Sequence, residues 1–446
     1  MGLTGLDIYK QLPKKNCGEC GPPTCLAFAM ALASGKAALE SCPYVTDAAK
    51  EALGAASAPP IRLVKVGTGD VAVAVGDETV IFRHDKTFFH ETGVAIEVSD
   101  ALSDADLAAK LEKINGLTFE RVGLHYTINL VAVKNDSASA ERFKAAVDKV
   151  AASTRFPLIL MTDDPAIMDQ AAAGVAAGRP LLYAATAANF EKMVEVARKH
   201  SCPLAIRGKD LEEAAALSEK AVAAGCKDLV IDSGRREFSA ALADLTQMRR
   251  LAIKKKFRPL GFPTIAFPQA DDPYMEILQA SYYVGKYASI VVVKTAEKAH
   301  ILPLLTWRQN IYTDPQKPIQ VEPKLHEVGA VTPESPVYIT TNFSLTYYTV
   351  EGEVAASKIP AYILPVNTDG TSVLTAWASG KFSAESIAEA IKTSGLEQRV
   401  NHRNCVLPGY VAVLSGKLAE LSGWKVGVGP REAAGIPSFA KAKFAS

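Results

Sequence analysis

The chain has 446 residues, and its 49 Lys and Arg against 48 Asp and Glu leave a formal net charge of +1. So even a balance provides no global basic field for nucleic acid or an acidic membrane. With 48% hydrophobic and 22% charged residues, the composition suits packed cores rather than disorder. No apolar run approaches the ~20 residues that span a bilayer. The opening MGLTGLDIYKQLPKKN lacks the apolar stretch of a signal peptide and has Leu6 where a myristoylation signal carries Ser or Thr. A soluble, cytoplasmic protein is expected.

Four of the seven cysteines fall in the first 42 residues, spaced C-x2-C-x4-C-x16-C as Cys17, Cys20, Cys25 and Cys42. An odd total in a long chain without a signal does not read as a disulfide framework. Cys202, Cys226 and Cys405 are scattered and read as small buried hydrophobes. In the cluster, Gly18 and Gly21 allow a turning backbone and Pro22-Pro23 stiffens it. The spacing predicts a helix from Thr24 to Glu40 that returns the chain so Cys42 can supply a fourth corner. Cys25 in its first turn sits at the positive end of that helix, suited to an anionic centre. Four thiolates hold zinc or iron–sulfur. Structural zinc favours two short cysteine pairs, and here there is one; a distant cysteine followed by proline, Cys42-Pro43, is closer to ferredoxin usage. The order x2 then x4 reverses the plant-type [2Fe–2S] order, so four ligands suggest one [4Fe–4S] cluster.

Residues 54–60, GAASAPP, read as a linker, and residues 313–336, with five prolines, as extended chain. They divide the sequence into a head (1–57), a middle (58–318) and a tail (319–446). The stretch Leu63 to Arg83, punctuated by Gly67, Gly69 and Gly76-Asp77, reads as hairpins. Strands are expected at Gly93 to Val98, Ile128 to Val133, Phe156 to Met161, Pro180 to Ala185, Pro203 to Arg207, Asp228 to Asp232, Pro263 to Phe267 and Ser289 to Lys294. Leu211 to Ala224 and Ala240 to Lys254 carry apolar residues at helical spacing. Such alternation matches a (β/α)8 TIM barrel better than an open sheet.

In the tail, strands are expected at Val337 to Thr341, Ala361 to Val366, Cys405 to Leu407 and Lys425 to Val428. Helices are expected at Ser372 to Ser379, Ala384 to Thr393 and Tyr410 to Leu421. This predicts an α/β, open, parallel, flavodoxin-like (Rossmann-like) domain. The sequence has no GxxxxGK[ST], no GxGxxG after a strand, no HExxH and no GxSxG, so phosphate loops, dinucleotide fingerprints, zincin sites and nucleophile elbows are unsupported.

The run from Met1 to Leu53, with KKNCGECG and SCPY around its cysteines, closely resembles the N-terminus of the corrinoid iron–sulfur protein large subunits of the acetyl-CoA (Wood–Ljungdahl) pathway. The resemblance extends through barrel and tail, less specifically by motif. It implies a [4Fe–4S] cluster on Cys17, Cys20, Cys25 and Cys42. It also implies a corrinoid (cobamide, cobalt) bound base-off in the tail. The matching tail positions are Thr340 in YITTN, Thr346 in SLTYY, Gly370-Thr371-Ser372-Val373, and Gly435 and Ile436 in AAGIPSF. Placement at strand ends suits an open parallel sheet; the competing reading of Asp369 to Ser372 is an ordinary helix cap. No DxHxxG motif offers a histidine to cobalt, and the tail's histidines are His326 and His402.

The implied role is a methyl carrier with no catalytic residue of its own. Cobalt takes a methyl from methyltetrahydrofolate on a separate corrinoid methyltransferase and delivers it to acetyl-CoA synthase. The cluster reactivates Co(II) to Co(I) with electrons from a low-potential donor. A small subunit completes a heterodimer, and residues 54–60 and 313–336 are the expected hinges. The alternative is a barrel methyltransferase with an accessory iron–sulfur or zinc domain, using Asp163-Asp164, Asp232 and Arg235 at strand ends. The same residues serve equally well as caps and ion pairs.

Overall fold

The computed structural model describes residues 5–33, 37, 39–46, 49 and 59–444. In chain order its elements are α1 (Gly5–Gln11), α2 (Cys25–Ala33), β1 (Val64–Val66), β2 (Val73–Val75), β3 (Gly93–Ser99), α3 (Asp104–Asn115), β4 (Thr118–Arg121), β5 (Leu124–Thr127), β6 (Leu130–Lys134), α4 (Ala140–Ser153), β7 (Leu158–Met161), α5 (Pro165–Val175), β8 (Leu181–Ala185), α6 (Phe190–His200), β9 (Leu204–Arg207), α7 (Leu211–Ala223), β10 (Leu229–Asp232), α8 (Phe238–Lys254), β11 (Ile265–Ala266), α9 (Pro273–Gly285) and β12 (Ile290–Val293). There follow α10 (Lys298–Tyr312), β13 (His326–Val328), β14 (Val337–Thr341), α11 (Ser344–Ser357), β15 (Ala361–Val366), α12 (Val373–Ala378), α13 (Ala384–Thr393), β16 (Asn404–Leu407), α14 (Ser415–Ser422), β17 (Lys425–Val428) and α15 (Ile436–Phe444). Contacts group these into two compact units, one of residues 1–81, 92–103 and 129–294, the other of 82–91, 104–128 and 295–446. The expected linker at 54–60 lies largely outside the described residues.

The first unit contains an eight-stranded parallel sheet in the order β10-β9-β8-β7-β6-β3-β12-β11. A parallel bridge between Ile231 and Thr264 joins its two edges, so the strands form a barrel. β7, β8, β10 and β12 are buried at every position, as parallel strands covered on both faces must be, and this is why they read as unbroken apolar runs. Inside the barrel Ala95, Ala132 and Ala205 interleave with Leu130, Ile159 and Val230. The antiparallel β1–β2 hairpin adds Val64, Val66 and Val75 to that core. It meets the strands' N-terminal ends, where Gly67 N–H donates to the Arg179 carbonyl at 2.9 Å and a Cβ on Gly67 would run into the Pro157 ring. The C-terminal ends are left as the open mouth.

Beyond several strands a polar residue caps the next helix. Ser139 accepts from Arg142 N–H (3.3 Å), Asp164 from Ala166 and Ile167 N–H (2.8 and 3.2 Å), and Asp210 from Glu213 N–H (2.9 Å), satisfying helix donors that have no intrahelical partner.

In the second unit the main sheet has the order β13-β15-β14-β16-β17. Four of its strands run parallel, while β13 pairs antiparallel with β15. The all-parallel expectation is thus corrected at one edge: three residues inside the proline-rich run add a strand because β15 offers them an open ladder. β14 is buried throughout and feeds both layers of core: Val337 and Ile339 join Phe382, Ile387 and Leu418, whereas Tyr338 joins Tyr347, Val354 and Ile436. Hence α13 and α14 cover one face, and α11 and α15 the other. No helix among the described residues is long and apolar enough to cross a membrane.

Candidate cofactor sites

The head begins from a backbone that turns sharply between its thiols. Gly18 and Gly21 have φ of +76° and +99°, conformations open to glycine without steric cost, and Gly21 N–H donates to the Gly18 carbonyl at 3.0 Å. Thr24 Oγ1 accepts from Ala27 N–H at 3.1 Å, so α2 starts at Cys25. The described part of this helix runs to Ala33, residues 34–36 and 38 lie outside the described residues, and Leu39–Ser41 forms a single tight turn where the sequence predicts helix to Glu40. Asn16 holds Cys25 on both sides: its Oδ1 accepts from Cys25 N–H at 2.8 Å, and its own N–H donates to Cys25 Sγ at 3.4 Å. Tyr44 donates to Glu19 Oε1 at 2.9 Å and lies under the Lys15 ammonium at 3.7 Å, tying the segment after Cys42 to the first cysteine loop.

Cys25 and Cys42 are buried among Ile8, Leu12 and Phe28, with Cys20 packed beside them and Cys17 exposed. Burial raises the Cys20 thiol, and the charges of Cys42, Cys17 and Cys25 raise it further. Thiolates that penalise one another are the donor set a cationic inorganic centre relieves. Among the described residues no three His, Cys, Asp or Glu side chains are grouped as they stand for a metal ion.

In the tail the chain leaves β14 through α11 to β15, then returns through α12 and α13 to β16 on the other side of β14. The β14–β16 ladder runs through one pair, Tyr338 opposite Val406, against five between β14 and β15. Connections diverge there to opposite faces, which is where open α/β sheets form ligand crevices. A cavity of about 260 Å³ occupies this place. Tyr338 and Thr340 of β14, Thr346 and Val350 of α11, and Leu407 and Pro408 after β16 line it, with Val373, Arg431 and Ile436. Thr340 is 0% exposed, and its Oγ1 and the Tyr338 hydroxyl have no hydrogen-bond partner. A buried hydroxyl without a partner costs about 1–3 kcal/mol, so the cavity carries uncompensated polarity that a ligand amide or phosphate oxygen would relieve. Burial pushes the Tyr338 phenol up to about 12, keeping it a neutral donor.

Of the expected tail positions, Thr340, Thr346, Val373 and Ile436 come together here, whereas Gly370, Thr371, Ser372 and Gly435 do not line the cavity. Gly370 has φ +70° and its N–H donates to Asn342 Oδ1 at 3.2 Å. Thr371 Oγ1 donates to the Thr368 carbonyl at 2.7 Å, and Ser372 stands at the N-cap of α12. These residues build a turn, and the Ser372 side chain makes no cap hydrogen bond to the helix backbone. Sequence reasoning missed Asn342, whose Oδ1 also accepts from the Thr368 N–H (2.9 Å) and hydroxyl (3.1 Å); its position directly after a strand end was the available signal. It missed Tyr410 and Arg431 at the cavity as well. No histidine lines the cavity; His326 and His402 bond to the Glu322 and Ser335 carbonyls, each at 3.0 Å.

At the barrel mouth Asp164 is a helix cap, Asp163 pairs with Arg207 at 2.7 Å, and Asp232 pairs with Arg236 at 2.7 Å. Arg236 is thus the basic partner of Asp232, whereas Arg235, the candidate at that strand end, lies 4.0 Å from Asp244.

Comparison with known proteins defines the class first. Residues 63–440 match the family described as "CO dehydrogenase/acetyl-CoA synthase delta subunit". Residues 12–44 match the one described as "Putative Fe-S cluster". The chain is 61% identical to the corrinoid/iron-sulfur protein large subunit of Moorella thermoacetica, over 100% of both chains. It is 36% identical to the acetyl-CoA decarbonylase/synthase complex subunit gamma of Methanopyrus kandleri, over 98% of this chain and 97% of that one. A dihydropteroate synthase from Thermus thermophilus matches at 16% identity and a TM-score of 0.38, covering 55% of this chain and 98% of that one. The chain belongs to the family of corrinoid/iron–sulfur protein large subunits.

Proposed function

We propose that the chain is a cytoplasmic methyl carrier of three domains, an iron–sulfur head (1–57), a TIM barrel (58–318) and a flavodoxin-like corrinoid domain (319–446). The observation that carries this is the unpartnered Thr340 hydroxyl in the cavity where the sheet order reverses, on a chain whose head carries four free cysteines. When bound, a corrinoid would supply a cobalt that takes a methyl from methyltetrahydrofolate at a separate methyltransferase and yields it to acetyl-CoA synthase, and a [4Fe–4S] cluster would supply the electron that returns Co(II) to Co(I).

The chain's own residues hold and orient these groups. Cys17, Cys20, Cys25 and Cys42 are the proposed cluster ligands, with Asn16 fixing Cys25 and Tyr44 holding the Cys42 segment to the loop. Thr340 and Tyr338, which line the cavity with Val350, Leu407 and Ile436, would donate to polar atoms of a bound corrinoid, and the three apolar side chains would keep water from it. At about 260 Å³ the cavity takes a part of so large a ligand. No histidine lines the cavity, so the protein would offer a base-off corrinoid no imidazole donor, which would leave the Co(I) state less destabilised. The small subunit and a low-potential electron donor complete the proposed set of partners.

The test is cobalt, iron and acid-labile sulfide on protein purified anaerobically with its small subunit and corrinoid. Near-stoichiometric cobalt with about four iron per chain is expected. Cys42→Ser should lose most of the iron and keep the cobalt, and Thr340→Val should lower corrin occupancy and keep the iron. Zinc alone, without corrin absorbance, would overturn the reading.

A further inference from the structure

The barrel mouth contains a second cavity, of about 570 Å³, built from the C-terminal ends of the strands. Glu97 comes from β3, Lys134 from β6, Met161 from β7, Tyr183 from β8, Arg207 from β9 and Val292 from β12. Barrel enzymes place their sites at this end, and here the opposite end is filled by the β1–β2 hairpin.

The floor is a closed network. Tyr183 donates to Asp232 Oδ2 at 2.6 Å, and Arg236 donates to both Asp232 oxygens (3.1 and 2.7 Å) and to the Tyr183 hydroxyl (2.8 Å). Asp232 is 2% exposed. Burial and the Asp232 charge raise the Tyr183 phenol, which stays protonated. Replacing such a buried set by apolar residues is often neutral or stabilising, so stability alone does not account for it. Around the rim the basic groups already have counter-charges: Arg207 with Asp163 at 2.7 Å, Lys134 with Asp136 at 2.8 Å, and Lys294 with Asp271 at 4.0 Å, and the Glu97 charge also acts on Lys134. Asp164 is committed to the start of α5.

A charged ligand would have to strip one of these groups from its partner; an uncharged one would not. Arg207 and Asp163 meet through one contact, Nη2 to Oδ2, so Asp163 Oδ1 is not engaged by Arg207, whose guanidinium also lies over the Tyr183 ring at 5.8 Å. An adjacent acceptor and donor complement the N–H and C=O edge of an amide. Beside them stands a flat wall, the half-buried Phe267 ring, 5.0 Å from the Tyr183 ring and under the Arg236 guanidinium at 4.9 Å. Met161 and Val292 add apolar surface, so the cavity offers a planar ring both stacking and edge recognition.

We propose that the barrel mouth is a binding site for an uncharged planar cyclic amide, its amide edge on Asp163 and Arg207 and its ring against Phe267. This goes beyond the carrier reading and stands or falls separately from it.

The test is calorimetric titration of the full protein, with its small subunit, using 2-pyridone and uracil as probes, beside N-methyl-2-pyridone and benzoate. Saturable binding of 2-pyridone or uracil is expected. Binding should weaken about tenfold or more for N-methyl-2-pyridone, as for loss of a hydrogen bond to a charged group. Asp163→Asn, which keeps the volume at an exposed position, and Phe267→Leu should each weaken uracil by a similar factor, with unchanged circular dichroism and melting. No saturable binding of either amide, tighter binding of benzoate, or uracil binding indifferent to both substitutions would overturn the proposal.

Discussion

The barrel and the tail sheet are both parallel α/β structures with a cavity beyond the carboxyl ends of their strands, yet the two cavities are opposite in character. In the barrel, strands converge from all sides, and long charged side chains reach one another across the mouth; Tyr183, Asp232 and Arg236 satisfy each other completely. In the tail, a crevice opens at one point of an open sheet. Threonines and apolar side chains line it with Tyr410 and Arg431, and the hydroxyls of Thr340 and Tyr338 find no partner. Closure turns polar residues inward onto one another, whereas an open sheet strands them. Satisfied polarity makes a rigid wall; unsatisfied polarity marks where a ligand atom belongs.

The largest expected effect tests the satisfied side. Asp232→Ala leaves the Arg236 guanidinium and the Tyr183 hydroxyl without their acceptor, and should cost about 3 kcal/mol, the low end for a broken buried pair because Arg236 is partly exposed. Urea denaturation followed by a barrel probe measures it. A cost below about 1 kcal/mol would mean the network is solvated and the contrast false.

A smaller effect concerns alkaline stability of the tail. Burial pushes the Cys405 thiol up to about 12, above its ordinary value, so the protonated form is favoured in the folded state. Its contribution is fully present below the ordinary thiol pKa of roughly 8.5–9 and is lost as pH rises toward about 12. By pH ~10 the wild type should have lost about 1.5–2 kcal/mol that Cys405→Ala does not lose. Equal pH slopes for the two proteins would show that Cys405 is hydrated.

Smallest is Thr340→Val in protein free of corrinoid. Removing a buried hydroxyl with no partner should stabilise the protein by about 1 kcal/mol, the low end of its desolvation cost, in contrast with Asp232→Ala. A loss of more than about 2 kcal/mol would mean that the hydroxyl is hydrogen-bonded in solution and that the two cavities are alike.

Much of this architecture was legible because local pattern and tertiary environment agree. Val337–Thr341, Ala361–Val366 and Lys425–Val428 stand at the expected residues, since β-branched and apolar runs bounded by proline, glycine or polar residues have few alternatives. α11 was not read, because SLTYYTVEGEVAAS mixes β-branched residues with a glycine and has no clean apolar face; its place is set by packing against β14 and α15. β13 was hidden among prolines, and pairing with β15 makes it a strand. At the sites, the cysteine set could be proposed from spacing, whereas Thr340 came from the family resemblance, its place at a strand end agreeing. Asn342 offered only its place after a strand end, as its role depends on Thr368 and Gly370, 26 and 28 residues away.

Local pattern was enough for the four-thiol head, the run of strand and helix units, and the absence of a histidine motif in the tail, because spacing and periodicity belong to single segments. Packing in three dimensions settled that Arg236 rather than Arg235 meets Asp232. It also settled that residues as distant as Thr340 and Ile436 line one cavity while Gly370 to Ser372 form a turn outside it. Those outcomes depend on where the sheet reverses its order and on which side chains reach across a closed ring, and neither is encoded within a single segment.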